Sequence, residues 1–211
     1  MTLTHGVAPD GTPVTELDLD GLASSAVAVL VEASDEDAFR RLATQAALSL
    51  ADRGLECTVA GPGRAGPLAS ASRALTRLTD RGWEPDQTGL LCFGRSSADV
   101  LTAAAELPVA AAASWTSVLE LVGEPRVPWL GLVGAEGVEP ESVRSWLSTV
   151  RRRARVHVEI VPCAPLPASF PDADGSHFDA WQRIGEWFEK RLAPRPTPLA
   201  VRHDAGNPPP A

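Results

Sequence analysis

The stretch TGLLCFGRSSADVLTAAAELPVAAAASW (residues 88–115) decides the fold. Its first six residues, Thr88–Phe93, are apolar without alternation. A short continuous apolar run closed by Gly94 is the mark of a strand buried on both faces. From Ser96 to Leu107, Val100, Leu101, Ala104 and Leu107 recur at helical spacing, which predicts a helix. Val109–Ala113 is a second apolar strand. Strand, helix and strand in immediate succession form a crossover unit, and crossovers join parallel strands.

The same rhythm extends outward in both directions. Ala26–Val31 is a continuous Ala/Val run, again a buried strand. Ser34 precedes Asp35, Glu36 and Asp37, so a serine cap with acids in the first turn opens a helix over Phe39–Leu50, which Gly54 stops. Leu55–Ala60 is a strand, Gly61–Gly66 a glycine-proline loop, and Pro67–Arg81 a helix. Downstream, Val127–Val133 and Arg155–Val161 read as strands. Pro140–Arg153 and Phe178–Leu192 read as helices, and Pro162–Ser176 as a proline-rich loop. The expected fold class is α/β, a mostly parallel sheet with helices on both faces and no cap domain. The domain is expected over 15–192, with Thr15–Leu19 as an edge strand. Residues 1–14 read as a loose start and 193–211 as a proline-rich disordered tail.

Composition narrows the class. The 211 residues are 44% hydrophobic and 22% charged, the balance of a globular chain, which excludes a disordered or collagen-like one. A net charge of −8 repels phosphate backbones, so the expectation is no nucleic-acid partner. No run approaches the roughly 20 apolar residues of a bilayer span, and the first ten residues lack the pattern of a signal peptide. Cys57, Cys92 and Cys163 are odd in number and far apart, so no disulfide framework is expected. No Cys/His spacing suits zinc, and Gly61–Gly66 does not fit a dinucleotide fingerprint. A cytoplasmic protein without metal, cofactor or membrane partner is expected. The Arg-for-Lys bias and the abundant Ala, Pro and Gly point to a GC-rich bacterial genome.

Four stretches together resemble the dienelactone hydrolase family, a small branch of the α/β-hydrolase superfamily. They are AVAVLVE (26–32), residues 88–115, VPWLGLVGAEGVEPESV (127–143) and FDAWQRIGEWFEKRL (178–192). The resemblance implies an α/β-hydrolase fold over about 15–192. It also implies a nucleophile on the turn after the 88–93 strand, an acid after the 127–133 strand, and a histidine before the last helix. The family's Gly-x-Cys-x-Gly-Gly elbow falls on Cys92-Phe93-Gly94-Arg95-Ser96-Ser97, which puts Gly94 at the nucleophile position. The acid position falls on Gly137, flanked by Glu136 and Glu139. The family's Gly-His-x-Phe has no match in 161–170, and His177 lies further on. Cys92 reads as a packed thiol. Ser96 and Ser97 read as helix caps, and His177 as a helix-entry residue.

On this alignment the usual triad is vacant, so a catalytically impaired or non-catalytic protein is expected. It keeps the fold and binds a small anionic ligand or a protein partner, in a homo- or hetero-oligomer. Glu32, Gly94, Arg95, Ser96 and Trp115 are the expected ligand-binding residues. Arg95 and the two serines offer an anion site at a helix start, Glu32 pairs with Arg95, and Trp115 lines the pocket. The alternative is an ester or lactone hydrolase with a relocated triad, Ser96 or Ser97 with His177 and Glu136 or Glu139.

Overall fold

The computed structural model describes residues 1–61, 63, 65–93, 97–116, 125–134, 141, 144, 145, 148, 149, 156–163 and 177–196. Eight strands form one sheet: β1 (Thr2–Val7), β2 (Pro13–Asp18), β3 (Ser25–Val31), β4 (Leu55–Ala60), β5 (Thr88–Phe93), β6 (Ala111–Thr116), β7 (Trp129–Gly134) and β8 (Val158–Cys163). Their order across the sheet is β1-β2-β4-β3-β5-β6-β7-β8. β1 pairs with β2, and β2 with β4, antiparallel; every other pairing is parallel. This is the sheet expected, with one more antiparallel edge strand.

The helices are α1 (Glu36–Ala51), α2 (Pro67–Asp80), α3 (Ser97–Glu106) and α4 (Phe178–Arg191), with a short 3-10 turn at Pro85–Gln87. Residues 141, 144, 145, 148 and 149 are also helical. Right-handed crossovers explain the layering. β3 to β4 moves one way across the sheet and β4 to β5 moves back past β3, so α1 and α2 take opposite faces. α3 joins α2, and the two touch. α4 returns to the α1 face, where Arg53 beyond α1 pairs with Glu189 of α4 at 3.5 Å.

The interior follows the strand code. All seven residues of β3 and all six of β4 are buried, as a strand covered on both faces requires. α1 buries Phe39, Ala43, Ala46, Ala47 and Leu50, a stripe at helical spacing. Burying one such large side chain contributes roughly 1.5–3 kcal/mol.

Several boundaries differ from the sequence reading. The supposed loose start contains β1, hydrogen-bonded along β2 with Thr2 opposite Asp18 and Val7 opposite Pro13. The sheet therefore begins at residue 2, and the edge strand covers Pro13–Asp18. Asp35, not Ser34, caps α1: its carboxylate accepts from the Ala38 amide at 2.8 Å, and the Ser34 hydroxyl donates to the same carboxylate. β6, β7 and β8 each lie one to three residues later than their apolar runs, so Pro162 belongs to β8. Of the supposed tail, Ala193–Arg195 is bound to the body. The Ala193 amide donates to the Asp86 carbonyl, and the Arg195 amide donates to the Ser24 carbonyl. Residues 197–211 lie outside the described residues.

Candidate functional site

In an open parallel sheet, ligands sit beyond the carboxyl ends of the strands. β5 ends at Phe93 and α3 begins at Ser97, so residues 94–96 connect strand to helix at the middle of that edge. Gly94, Arg95, Ser96, Glu136 and Glu139 lie outside the described residues. Ser97 is the first residue of α3. The floor and flanks of the site are defined.

Phe93 and Trp115 are neighbours in register on β5 and β6. Their rings lie 6.1 Å apart, tilted by 56°. Both point to the face covered by α4, as strand alternation from Gly89 to Phe93 dictates: a Cβ on Gly89 would strike Phe188 of α4. Trp181, one turn into α4, closes the cluster at 5.2 Å from Phe93 and 5.9 Å from Trp115, edge to face with the latter. Aromatic pairs prefer such tilted and T-shaped arrangements.

His177 immediately precedes α4. Its carbonyl accepts the Trp181 amide at 3.1 Å, the first bond of the helix. Its side chain does not cap the helix. The imidazole instead turns inward, is 7% exposed, and lies 5.4 Å from Trp115 with a 40° tilt. The expected helix-entry residue is thus buried at the carboxyl edge, against the neighbour of the residue that ends β5.

Glu32 follows β3 on the same edge, and its amide donates to the Phe93 carbonyl at 3.1 Å. The site's edge therefore gathers Glu32, Phe93, Trp115 and His177. The position expected for Trp115 needs correcting. It lies inside β6, not beyond a strand end, and is fully buried.

Cys163 and Trp181 belong to the same cluster and were not singled out from the sequence. Cys163 ends β8 on the Trp115 face. Its thiol accepts a hydrogen bond from Trp115, and burial pushes its pKa up to about 11, so it is neutral. The partial alternation of Arg155–Val161 stops two residues short of Cys163, while the helical spacing of Phe178–Leu192 places Trp181 on the inward face. Cys57 is fully buried and its thiol is pushed up to about 12, chiefly by desolvation. Among the described residues, no three His, Cys, Asp or Glu side chains are arranged to hold a metal ion, and no helix is long and apolar enough to cross a membrane.

The strand order and the crossovers are those of the α/β-hydrolase fold. Solved structures with this fold include a dienelactone hydrolase from Anabaena variabilis, matched over 90% of this chain and 97% of that one at 17% identity and a TM-score of 0.57. The Francisella virulence factor BioJ matches over 90% of this chain and 85% of its own at 9% identity and a TM-score of 0.69. An esterase of the bacterial hormone-sensitive lipase family matches over 91% and 85% at 16% identity and a TM-score of 0.61. No protein-family model matches the sequence, and a search of curated proteins finds no match. The chain has the α/β-hydrolase fold.

Proposed function

We propose that the chain is a serine-dependent ester or lactone hydrolase, with Ser96 as nucleophile, His177 as general base and Glu136 or Glu139 as the acid. The observation that carries this reading is the burial of His177 against Trp115, the register neighbour of the last residue of β5. Two further points support it. The connection from β5 to α3 is three residues long, 94–96. The sequence across it, Gly94-Arg95-Ser96-Ser97-Ala98, has the Gly-x-Ser-x-small spacing of a nucleophile elbow. This spacing lies two residues beyond the register in which Gly94 holds the nucleophile position.

The chemistry follows from those roles. The Ser96 hydroxyl proton passes to the His177 imidazole as the oxygen attacks the ester carbonyl. Collapse of the adduct expels the alcohol, which takes the proton from His177 and leaves an acyl-serine. Water, deprotonated by His177, then releases the acid and restores Ser96. A carboxylate from the loop after β7 stabilises the imidazolium. The substrate class is a small ester or lactone.

The test uses the full chain, a fluorophosphonate probe and p-nitrophenyl acetate. The wild type is expected to be labelled and to turn over the ester. Ser96→Ala and His177→Ala should each lower kcat about 10⁴-fold or more, and Ser97→Ala should leave labelling intact. A wild type that is neither labelled nor active would return the chain to the non-catalytic reading, in which Glu32, Arg95 and Ser96 bind a small carboxylate. Titration with such carboxylates decides that reading.

A further inference from the structure

We propose that β1 is the docking edge for a second copy of this chain, the two β1 strands pairing antiparallel about a two-fold axis at His5. This is independent of the chemistry assigned to the carboxyl edge.

The direction of the β1 backbone follows from its neighbour. The Pro13 carbonyl accepts the Gly61 amide at 2.9 Å, so Pro13 faces β4. The Thr12 carbonyl accepts the Ala8 amide at 2.8 Å, so Thr12 faces the β1 side. Bonded and non-bonded pairs alternate along an antiparallel ladder. Val7 stands opposite Pro13, His5 opposite Thr15 and Leu3 opposite Leu17. The N–H and C=O groups of Leu3, His5 and Val7 therefore point away from β2. β1 ends the strand order, so among the described residues no strand takes these groups up. Edges are ordinarily protected by charge, proline, a bulge or a covering element. Thr2–Val7 holds no Lys, Arg, Asp, Glu or Pro, pairs with β2 without a break in register, and is exposed nearly throughout.

Symmetry and charge select the occupant. Outward groups at every second residue, centred on His5, match themselves when the strand is reversed. Leu3 then lies opposite Val7 of the second copy, and His5 opposite its own counterpart. Every outward N–H meets a carbonyl, and the same patch serves both copies, as a two-fold interface requires. The side chains of Leu3, His5 and Val7 share the α1 face. Glu16, of the other parity, pairs with Arg77 of α2, while the His5 ring meets the Thr15 hydroxyl at 2.9 Å. The register thus sets Leu3 against Val7, an apolar cross-strand pair. His5 and Val7 also border a groove with Glu36, Phe39 and Arg40 of α1. Its two charges are of opposite sign and join at 2.6 Å within one copy. A two-fold brings the second groove alongside in reverse, acid toward base. Two chains of net charge −8 thereby meet where no excess of negative charge opposes them.

Sedimentation velocity on the full chain at micromolar concentration tests this, and the wild type should sediment as a dimer. His5→Pro removes an outward N–H and no bond to β2, the kind of edge position where a sheet accepts proline. It should give a monomer with an unchanged far-UV circular dichroism spectrum. His5→Lys and His5→Glu each set like charges directly opposite one another across the axis, and each should raise the dimer Kd roughly tenfold or more. An equimolar mixture of the His5→Lys and His5→Glu chains should recover the dimer. His5→Lys leaves the backbone intact and carries the test if His5→Pro does not fold. A monomeric wild type, or a dimer that persists undiminished in the folded variants, would overturn the proposal. A mixture no more dimeric than its components would overturn the register about His5.

Discussion

Gly89 shows how one position can fix the relation of a helix to the sheet. It is the second residue of β5 and faces α4. A Cβ built there would lie 2.4 Å and 2.7 Å from two ring carbons of Phe188, which is fully buried. Neither side can yield: Gly89 is locked between β3 and β6, and Phe188 fills the core. The close approach requires the absence of a side chain, not an unusual backbone conformation. Gly89→Ala is expected to destabilise the fold by about 1–3 kcal/mol, the ordinary cost of overpacking, as read from urea unfolding. The same ring carries α4 past β5, so the shift needed to admit a methyl group would be passed along α4 toward Trp181 and His177.

At the scale of elements, α1 opens on a charged cap. Asp35 accepts from the Ala38 amide and the Ser34 hydroxyl, and the first of these chiefly holds its carboxyl below the ordinary value of 3.8. The folded state thus binds this proton less readily than the unfolded chain. Its contribution is present above the unfolded value and is lost as pH falls through the lower, folded one. Asp35→Ala should lower the melting temperature at neutral pH, and the difference from wild type should shrink below about pH 3.8. Parallel melts across that range check it.

The central elements were legible because their signals agree. Thr88–Phe93 and Leu55–Ala60 are apolar, short and bounded, and both match the observed strands to the residue. β1 was illegible for a physical reason. Thr2–Val7 is exposed nearly throughout, so no buried face imprints alternation on it, and the strand is held by backbone pairing with β2. β6 was misplaced because alanine gives little β signal, and its polar members are buried for reasons that lie far off in sequence. Ser114 accepts a hydrogen bond from Trp129 Nε1 at 3.1 Å. The carboxyl edge of the sheet was legible, and so was the place of His177 at the entry to the last helix. The floor of the site was not, since the contact of Trp115 with His177 joins residues brought together only by the docking of α4.

For the whole molecule, the opposite edge of the sheet has its own network. Glu56 of β4 is buried and meets Arg81 at 3.1 Å, while Trp83 Nε1 donates to the same carboxylate oxygen at 3.1 Å. Arg195 lies over the Trp83 ring at 4.1 Å and donates to the Gly82 carbonyl at 2.8 Å. The segment after α4 is thereby clamped to the starting ends of β3 and β5. Glu56→Ala leaves Arg81 without its carboxylate and should cost about 3 kcal/mol. Arg40→Ala breaks only an exposed pair with Glu36, and the loss of that pair should cost no more than about 0.5 kcal/mol. Denaturant midpoints for the two variants separate the cases.

That clamp also has a practical side. It carries the chain to Pro196 on the amino-terminal edge of the sheet, away from the edge that gathers Glu32 and His177. A purification tag or a tether to a solid support joined beyond the clamp would leave from the rear of the molecule. The face that holds the proposed chemistry would then look outward, so an immobilised preparation should keep its access to solute.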